Sequence, residues 1–281
     1  MPPTLLVLVS IASVQFGAAF AKTLFDELGA GGTVFVRTLV AAIVLVLIWR
    51  PRLAGHDRRD LRLALVFGLV LAAMNFCFYS SIDRIPLGIA VTFEFVGPLG
   101  VALAGSRRPP DLLWVVLAAA GIVLLSGFGG AGDLDALGVA LALIAGGFWA
   151  AYILLSARTG QAFPGGSGLA IAMVVATAAL APVGVADAGG ALLEPELLAL
   201  GAAVAMLSSA IPYSLELEAL RRMPKRIFGV LMSLDPAMAA LAGFVVLGQD
   251  LVVRELVAIG LVVAASVGVS LEREEPVVVE P

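Results

Sequence analysis

The sequence predicts an all-α membrane protein of ten transmembrane helices, arranged as two inverted five-helix repeats. Three observations predict it. Of the 281 residues, 61% are hydrophobic and 14% charged, with a mean hydropathy of +1.07. A soluble domain is about a quarter charged, and a single core cannot hide so much apolar surface, so lipid must solvate much of the chain. The apolar residues also fall into runs of about 20, the length that crosses the hydrocarbon core as a helix. Finally, the runs repeat.

Taken in order, the first run is 4–24. No basic residue precedes it between Met1 and Ser10 and no clear cleavage motif follows, so it reads as a retained helix and not a signal peptide. The second, 30–49, stops at Arg50-Pro51-Arg52, and the third, 61–81, follows a charged loop holding His56. The fourth, 86–105, starts after Arg84-Ile85 and ends before Arg107-Arg108-Pro109-Pro110-Asp111. The fifth, 111–128, gives way to Gly129–Asp133. Runs six to ten are 135–157, 166–185, 196–219, 225–247 and 252–271. Proline, glycine and charge mark the breaks, where the backbone can meet water. The acidic tail 272–281 reads as disordered.

Basic residues set the orientation of such a chain. With a cytoplasmic N-terminus, the inner connections carry thirteen basic residues: Arg50, Arg52, Arg58, Arg59, Arg62, Arg107, Arg108, Arg158, Arg221, Arg222, Lys225, Arg226 and Arg273. The outer ones carry only Lys22, Arg84 and Arg254. Both termini are therefore expected in the cytoplasm.

The repeat is carried by paired prolines. Arg84-Ile85-Pro86 stands before Gly97-Pro98 as Arg222-Met223-Pro224 stands before Asp235-Pro236, and the prolines are twelve positions apart in both copies. The same shift of 138 superposes Ala102 on Ala240, Ala104 on Ala242 and Gly105 on Gly243. At a shift of 132, Phe16-Gly17-Ala18-Ala19-Phe20 resembles Phe148-Trp149-Ala150-Ala151-Tyr152. The repeats are expected at 1–130 and 131–271. An odd number of helices per copy inverts the second copy, a transporter plan that puts the substrate site near the midplane. Shared small-residue bias is the competing explanation.

Several function classes are excluded or weakened. A net charge of −4 offers no field for nucleic acid. Cys77 and His56 are the only residues of their types, so neither a thiolate–imidazole pair nor a Cys/His metal cage can be built. A membrane enzyme and a scaffold are the weakest readings.

Polar groups within the spans mark the candidate site, because a charge at the centre of a bilayer helix costs about 2.5–3.5 kcal/mol on insertion scales. Glu94 and Asp235 both fall mid-helix on equivalent spans, and each precedes a proline by one to four residues. Proline removes a backbone donor and opens polar backbone near each acid. A buried carboxylate here can hold a substrate ammonium, carry a coupling proton, or serve packing alone. Arg37 can receive a substrate carboxylate, neutralise an acid, or snorkel to the interface. Glu216, three residues after Tyr213 on one helix face, is a candidate lining of a cytoplasmic access path. Asn75 and Tyr79, four apart, and Gln15, Trp149, Tyr152, Ser208 and Ser209 are further candidate cavity linings. Interhelical packing is the bland alternative for each.

These segments resemble the drug/metabolite transporter superfamily in its ten-helix, duplicated form, and within it the bacterial threonine and homoserine exporters. The resemblance spans helix 1 to helix 10. It is carried by Arg84-Ile85-Pro86-Leu87-Gly88-Ile89-Ala90-Val91, Glu94-Phe95-Val96-Gly97-Pro98-Leu99, Ser106-Arg107-Arg108-Pro109, Ile211-Pro212-Tyr213-Ser214-Leu215-Glu216 and Met232–Ala240. It implies an inner-membrane exporter of small neutral amino acids that exchanges cargo for protons by alternating access, with no cofactor. The exporter branch usually has Glu where this chain has Asp235, an acid shorter by a methylene. A carrier of another cargo, such as a drug cation, is the alternative. A cation site favours an aromatic cage, and only 7% of residues are aromatic.

Overall fold

The computed structural model describes residues 1–52, 56–104, 111–125, 134–223 and 231–271, and every regular element among them is helical. The expected repeat boundary at 130/131, the basic residues Arg107, Arg108, Lys225, Arg226 and Arg273, and the tail 272–281 lie outside the described residues. Among the described residues, twelve α-helices follow in chain order. They are α1 (Pro3–Lys22), α2 (Phe25–Trp49), α3 (Arg58–Ile82), α4 (Leu87–Glu94), α5 (Val96–Ala104) and α6 (Asp111–Leu125). The second half holds α7 (Ala136–Ala162), α8 (Ser167–Ala188), α9 (Pro195–Ala205), α10 (Ile211–Arg222), α11 (Asp235–Leu247) and α12 (Val253–Leu271).

Among the described residues, five segments, Pro3–Lys22, Phe25–Trp49, Arg58–Ile82, Ala136–Ala162 and Ser167–Leu193, are long and apolar enough to cross a membrane unaided. Other expected spans are broken, and each break has a local cause. The span 86–105 is two helices, α4 and α5, parted at Phe95. Pro98 lies four residues after Glu94 and has no N–H to return to the Glu94 carbonyl. In the second half the chain turns at Ser233-Leu234, and α11 starts at Asp235. Pro236 likewise deprives the Met232 carbonyl, and Met232 is the position that matches Glu94 under the 138-residue shift. Glu94 and Asp235 are therefore not mid-helix. One ends a helix and the other begins one, on either side of equivalent breaks.

The eighth expected span also widens. Between α9 and α10 lies one π-helical turn, Met206–Ala210, just before Pro212. Such bulges re-route carbonyls, and α1 receives them. Ser13 Oγ donates to the Leu207 carbonyl at 2.6 Å, and Ser10 Oγ reaches the Pro212 carbonyl at 3.3 Å.

Two boundaries differ from expectation by five residues. The seventh helix runs five residues past 157, to Ala162. The second span begins at Phe25, not at 30, because Gly29 (φ 69°, ψ 167°) joins a short N-terminal turn to the main helix. Only glycine takes that conformation cheaply. The kink leaves Gly31 N–H in a fresh first turn, and Asp187 at the end of α8 accepts from it at 3.0 Å. The matching entrance to α8 uses Gly165 (φ 58°), covered by Trp49 at the end of α2. Each helix thus closes the start of the other.

The packing follows the same exchange. The most extensive pairings are α2 with α8, α3 with α7, and α6 with α12. The segment α9–α10 packs on α1 as α3 packs on α7, and α11 packs on α1 as α4 and α5 pack on α7. Large apolar side chains such as Leu47, Ile48, Phe244 and Val245 face outward, as lipid contact requires. Inside, Ile82, Ile85, Leu87, Ile89 and Phe93 cluster with Ala18, Ala19, Ala239 and Ala242.

Among the described residues, two helix starts capped by aspartate sit outside the spans. Asp57 accepts from Arg59 and Asp60 N–H, and Asp135 accepts from Gly138 N–H. The Asp60 and Gly138 amides, respectively, hold these carboxyls below the usual range. A depressed pKa in the fold means stability that is present above the unfolded value, near 3.9 for aspartate, and is lost as pH falls through the folded value. Thermal denaturation in detergent should therefore show Asp135→Asn less stable than the parent at pH 7, with the two converging as pH falls below about 4.

Candidate functional site

The breaks in α4–α5 and before α11 meet at a central cavity of about 410 Å³, within the ~300–1,000 Å³ range of small-molecule sites. α1 contributes Val14, Gln15 and Ala18, and α2 contributes Arg37. Met74, Asn75 and Phe78 come from α3, and Trp149, Tyr152 and Ile153 from α7. Glu94, Phe95, Pro98 and Leu99 come from the first break, and Met232 and Asp235 from the second. The π turn adds Ser208, α10 adds Glu216, and α12 adds Ser266.

Glu94 and Asp235 are 7% and 3% exposed, and both line this space. Asp235 accepts a hydrogen bond from Gln15 Nε2 at 3.1 Å. Glu216 accepts from Ser10 Oγ at 2.7 Å. The backbone beside Glu94 is clamped by glycine. A Cβ on Gly146 of α7 would lie 2.5 Å from the Glu94 carbonyl oxygen, and one on Gly97 would lie 1.8 Å from the Gly146 oxygen. That close approach presses α7 against the carbonyl that Pro98 leaves without a helical donor.

Arg37 lines the cavity and does not snorkel to an interface. Its Nη1 donates to Tyr79 Oη at 2.9 Å, its Nε approaches Ser209 Oγ at 3.4 Å, and the guanidinium lies 5.3 Å from the Tyr79 ring centre. Tyr79 is therefore not a wall of the cavity, as its spacing from Asn75 suggested. It is fully buried behind Arg37 and orients it. The phenol turns toward α2 and Phe25, while Asn75, one turn away, lines the cavity and donates from Nδ2 to the Leu71 carbonyl at 2.8 Å.

Eight of the ten principal candidates thus converge: Gln15, Arg37, Asn75, Glu94, Trp149, Tyr152, Glu216 and Asp235. Tyr79 stands one layer back, and the Tyr213 side chain lies outside the described residues. Ser208 joins them and Ser209 meets Arg37.

Sequence reasoning missed Ser10, Phe78, Phe95 and Ser266. Phe78 was within reach, since it is three residues from Asn75 and so shares its face. Ser266 hydrogen-bonds Ser233 at the second break, 2.7 Å away, and no local pattern marks it. The low aromatic content also misled. Phe78, Phe95, Trp149 and Tyr152 gather on this one cavity, with Phe95 and Trp149 edge-to-face at 5.7 Å.

The apolar cluster of Ile82, Ile85, Leu87 and Phe93 has Leu134 and Val139 packed against it, so it joins the segments that carry Arg84 and Asp135. Polar ties join the same segments. Arg84 pairs with Asp135 at 3.3 Å, Leu87 N–H donates to Gln249 Oε1 at 3.0 Å, Ser81 Oγ donates to the Gly138 carbonyl at 2.7 Å, and Lys22 Nζ donates to the Ile82 carbonyl.

Residues 136–271 match the EamA-like transporter family. Over nearly the full chain the similarity is to proteins named threonine/homoserine exporter RhtA. The Salmonella typhimurium protein is 45% identical over 279 residues, covering 98% of this chain and 93% of the relative. The Escherichia coli protein is 45% identical over 273 residues, covering 96% and 91%. This chain belongs to the EamA-like transporter family. A solved structure described only as a crystal structure of a protein shares the fold, with a TM-score of 0.59 at 18% identity over 96% of both chains. The superfamily resemblance carried by the proline and acid motifs is thus borne out, and this is a multi-pass membrane transporter whose central cavity is ringed by acids, one guanidinium and aromatic rings.

Proposed function

We propose that this transporter exports small neutral amino acids, threonine and homoserine among them, across a bacterial inner membrane in exchange for protons. The relatives' names supply the cargo class. The observation that carries the reading is the placement of Glu94, Asp235 and Arg37 on one cavity of amino-acid scale. A zwitterion offers an ammonium to the acids and a carboxylate to the Arg37 fork, the geometry at which guanidinium excels. Protons and ammonium compete for the same carboxylates, so one displaces the other. No bound cofactor is needed, since the proton gradient supplies the energy; the partners are the cargo and the lipid bilayer.

Two inverted copies, 1–130 and 131–271, move against each other in this reading. The reciprocal glycine entrances of α2 and α8, the matched proline breaks and the exchange-invariant packing support it. The basic-residue bias supports cytoplasmic termini, which puts the loops bearing Arg84 and Asp135 on the outer side.

Uptake into inside-out vesicles, with a panel of amino acids and with or without a pH gradient, tests the proposal. Gradient-dependent uptake of threonine or homoserine is expected; its absence for both and for close analogues overturns the cargo. The four aromatics on the cavity favour one second reading, an organic cation as cargo. Such a cation belongs in the same panel, where it should be taken up in place of amino acids if that reading holds.

A further inference from the structure

Gln15 is 5% exposed, lies on the cavity, and is only half used. Its Nε2 donates to Asp235 Oδ1 at 3.1 Å, and this bond sets which end of the amide is which. Its Oε1 is buried with no hydrogen-bond partner. A buried acceptor left unpaired is costly, so its persistence on the wall of a binding cavity points to a donor that arrives with the cargo.

The choice of donor follows from the other groups present. A substrate ammonium is met best by the Glu94 and Asp235 carboxylates, since charge-assisted bonds are about twice as strong as neutral ones. A substrate carboxylate is met by Arg37, and Oε1 cannot donate to it. Ser208 Oγ already donates to the Val204 carbonyl, and Glu216 already accepts from Ser10. A neutral amide oxygen, held from behind by Asp235, suits a neutral donor. We infer that Gln15 Oε1 accepts the side-chain hydroxyl of the cargo, so that Gln15 is the residue that separates hydroxy amino acids from their apolar isosteres. This rests on the exporter reading and deepens it.

The physical basis of such selectivity is the group left behind. A site built to hydrogen-bond a hydroxyl rejects the analogue lacking it, because the site's own polar group stays unpaired. Threonine and valine are nearly isosteric, so they isolate the effect.

Purified protein in proteoliposomes should be assayed by counterflow of labelled threonine, with unlabelled threonine, homoserine and valine as competitors. The wild type should prefer threonine to valine by at least about tenfold. Gln15→Met and Gln15→Leu, similar in volume but without the amide acceptor, should bring the two within about threefold, chiefly by weakening threonine. Using both variants covers the chance that one does not assemble, which membrane abundance and gel filtration will show. An unchanged preference, an equal loss of threonine and valine, or a wild type that exchanges threonine without preferring it to valine overturns the inference alone. A wild type that exchanges none of the three overturns it together with the exporter reading.

Discussion

Gradient-driven threonine efflux should fall by about ten- to a hundred-fold in Glu94→Gln. The figure follows from losing one charge-assisted contact of about 1.5–3 kcal/mol, at roughly 1.4 kcal/mol per factor of ten. Glutamine keeps the volume and the hydrogen-bonding capacity but can neither ionise nor release a proton. The carboxylate is 7% exposed and lines the cavity, so surface charge cannot replace it. Efflux from preloaded cells, normalised to membrane abundance, is the measurement. Efflux equal to the parent would show that Glu94 is not the coupling group. Asp235→Asn should be impaired through a different route, because it also changes what Gln15 Nε2 donates to.

The second large effect is structural. Gly97→Ala should destabilise the solubilised protein by about 1–3 kcal/mol, the usual cost of overpacking. A methyl there would stand 1.8 Å from the Gly146 oxygen, which is backbone and cannot step aside. Gly146→Ala should behave alike, with its Cβ 2.5 Å from the Glu94 carbonyl oxygen. Gly147→Ala, next door on α7 with nothing within 4 Å of its Cβ, is the control. It should be neutral or slightly stabilising, since alanine favours helix by about 1 kcal/mol over glycine. Thermal unfolding in detergent, followed by gel filtration, separates these outcomes. If Gly97→Ala and Gly147→Ala melt together, the glycine clamp is not what holds the first break.

These two positions also show what could be read before any fold was known. Glu94 stands out in the sequence because a carboxylate amid Phe93, Phe95 and Val96 has no local excuse. Gly97 looks like any small residue in an apolar helix. Its role depends on a backbone from another helix arriving within contact distance, and no pattern of spacing reports that.

Helices and spans were legible because their causes are local; the breaks at the acids were not read, although their causes are local too. Apolar length sets a span, and a proline four residues on removes a specific donor, so the discontinuities at Phe95 and Ser233-Leu234 follow from Pro98 and Pro236. The paired spacing of those prolines already suggested a duplicated chain. Local rules erred where tertiary partners decide. Gly29 extended the second helix backward because Asp187, 156 residues from Gly31, accepts the Gly31 amide that the kink exposes. Tyr79 left the cavity because Arg37 offered its hydroxyl a donor.

By itself, then, the sequence determined the helical class, the membrane setting and the acids with prolines beside them, since hydropathy and backbone donors are properties of single segments. Only the tertiary structure decided that Glu94, Asp235, Arg37 and Glu216 share one cavity, that four aromatics from two halves line it, and that Gln15 leaves one oxygen without a partner. The reason is rotational. A helix that is apolar all round carries no record of which face turns inward; that choice is made when small residues let particular backbones approach.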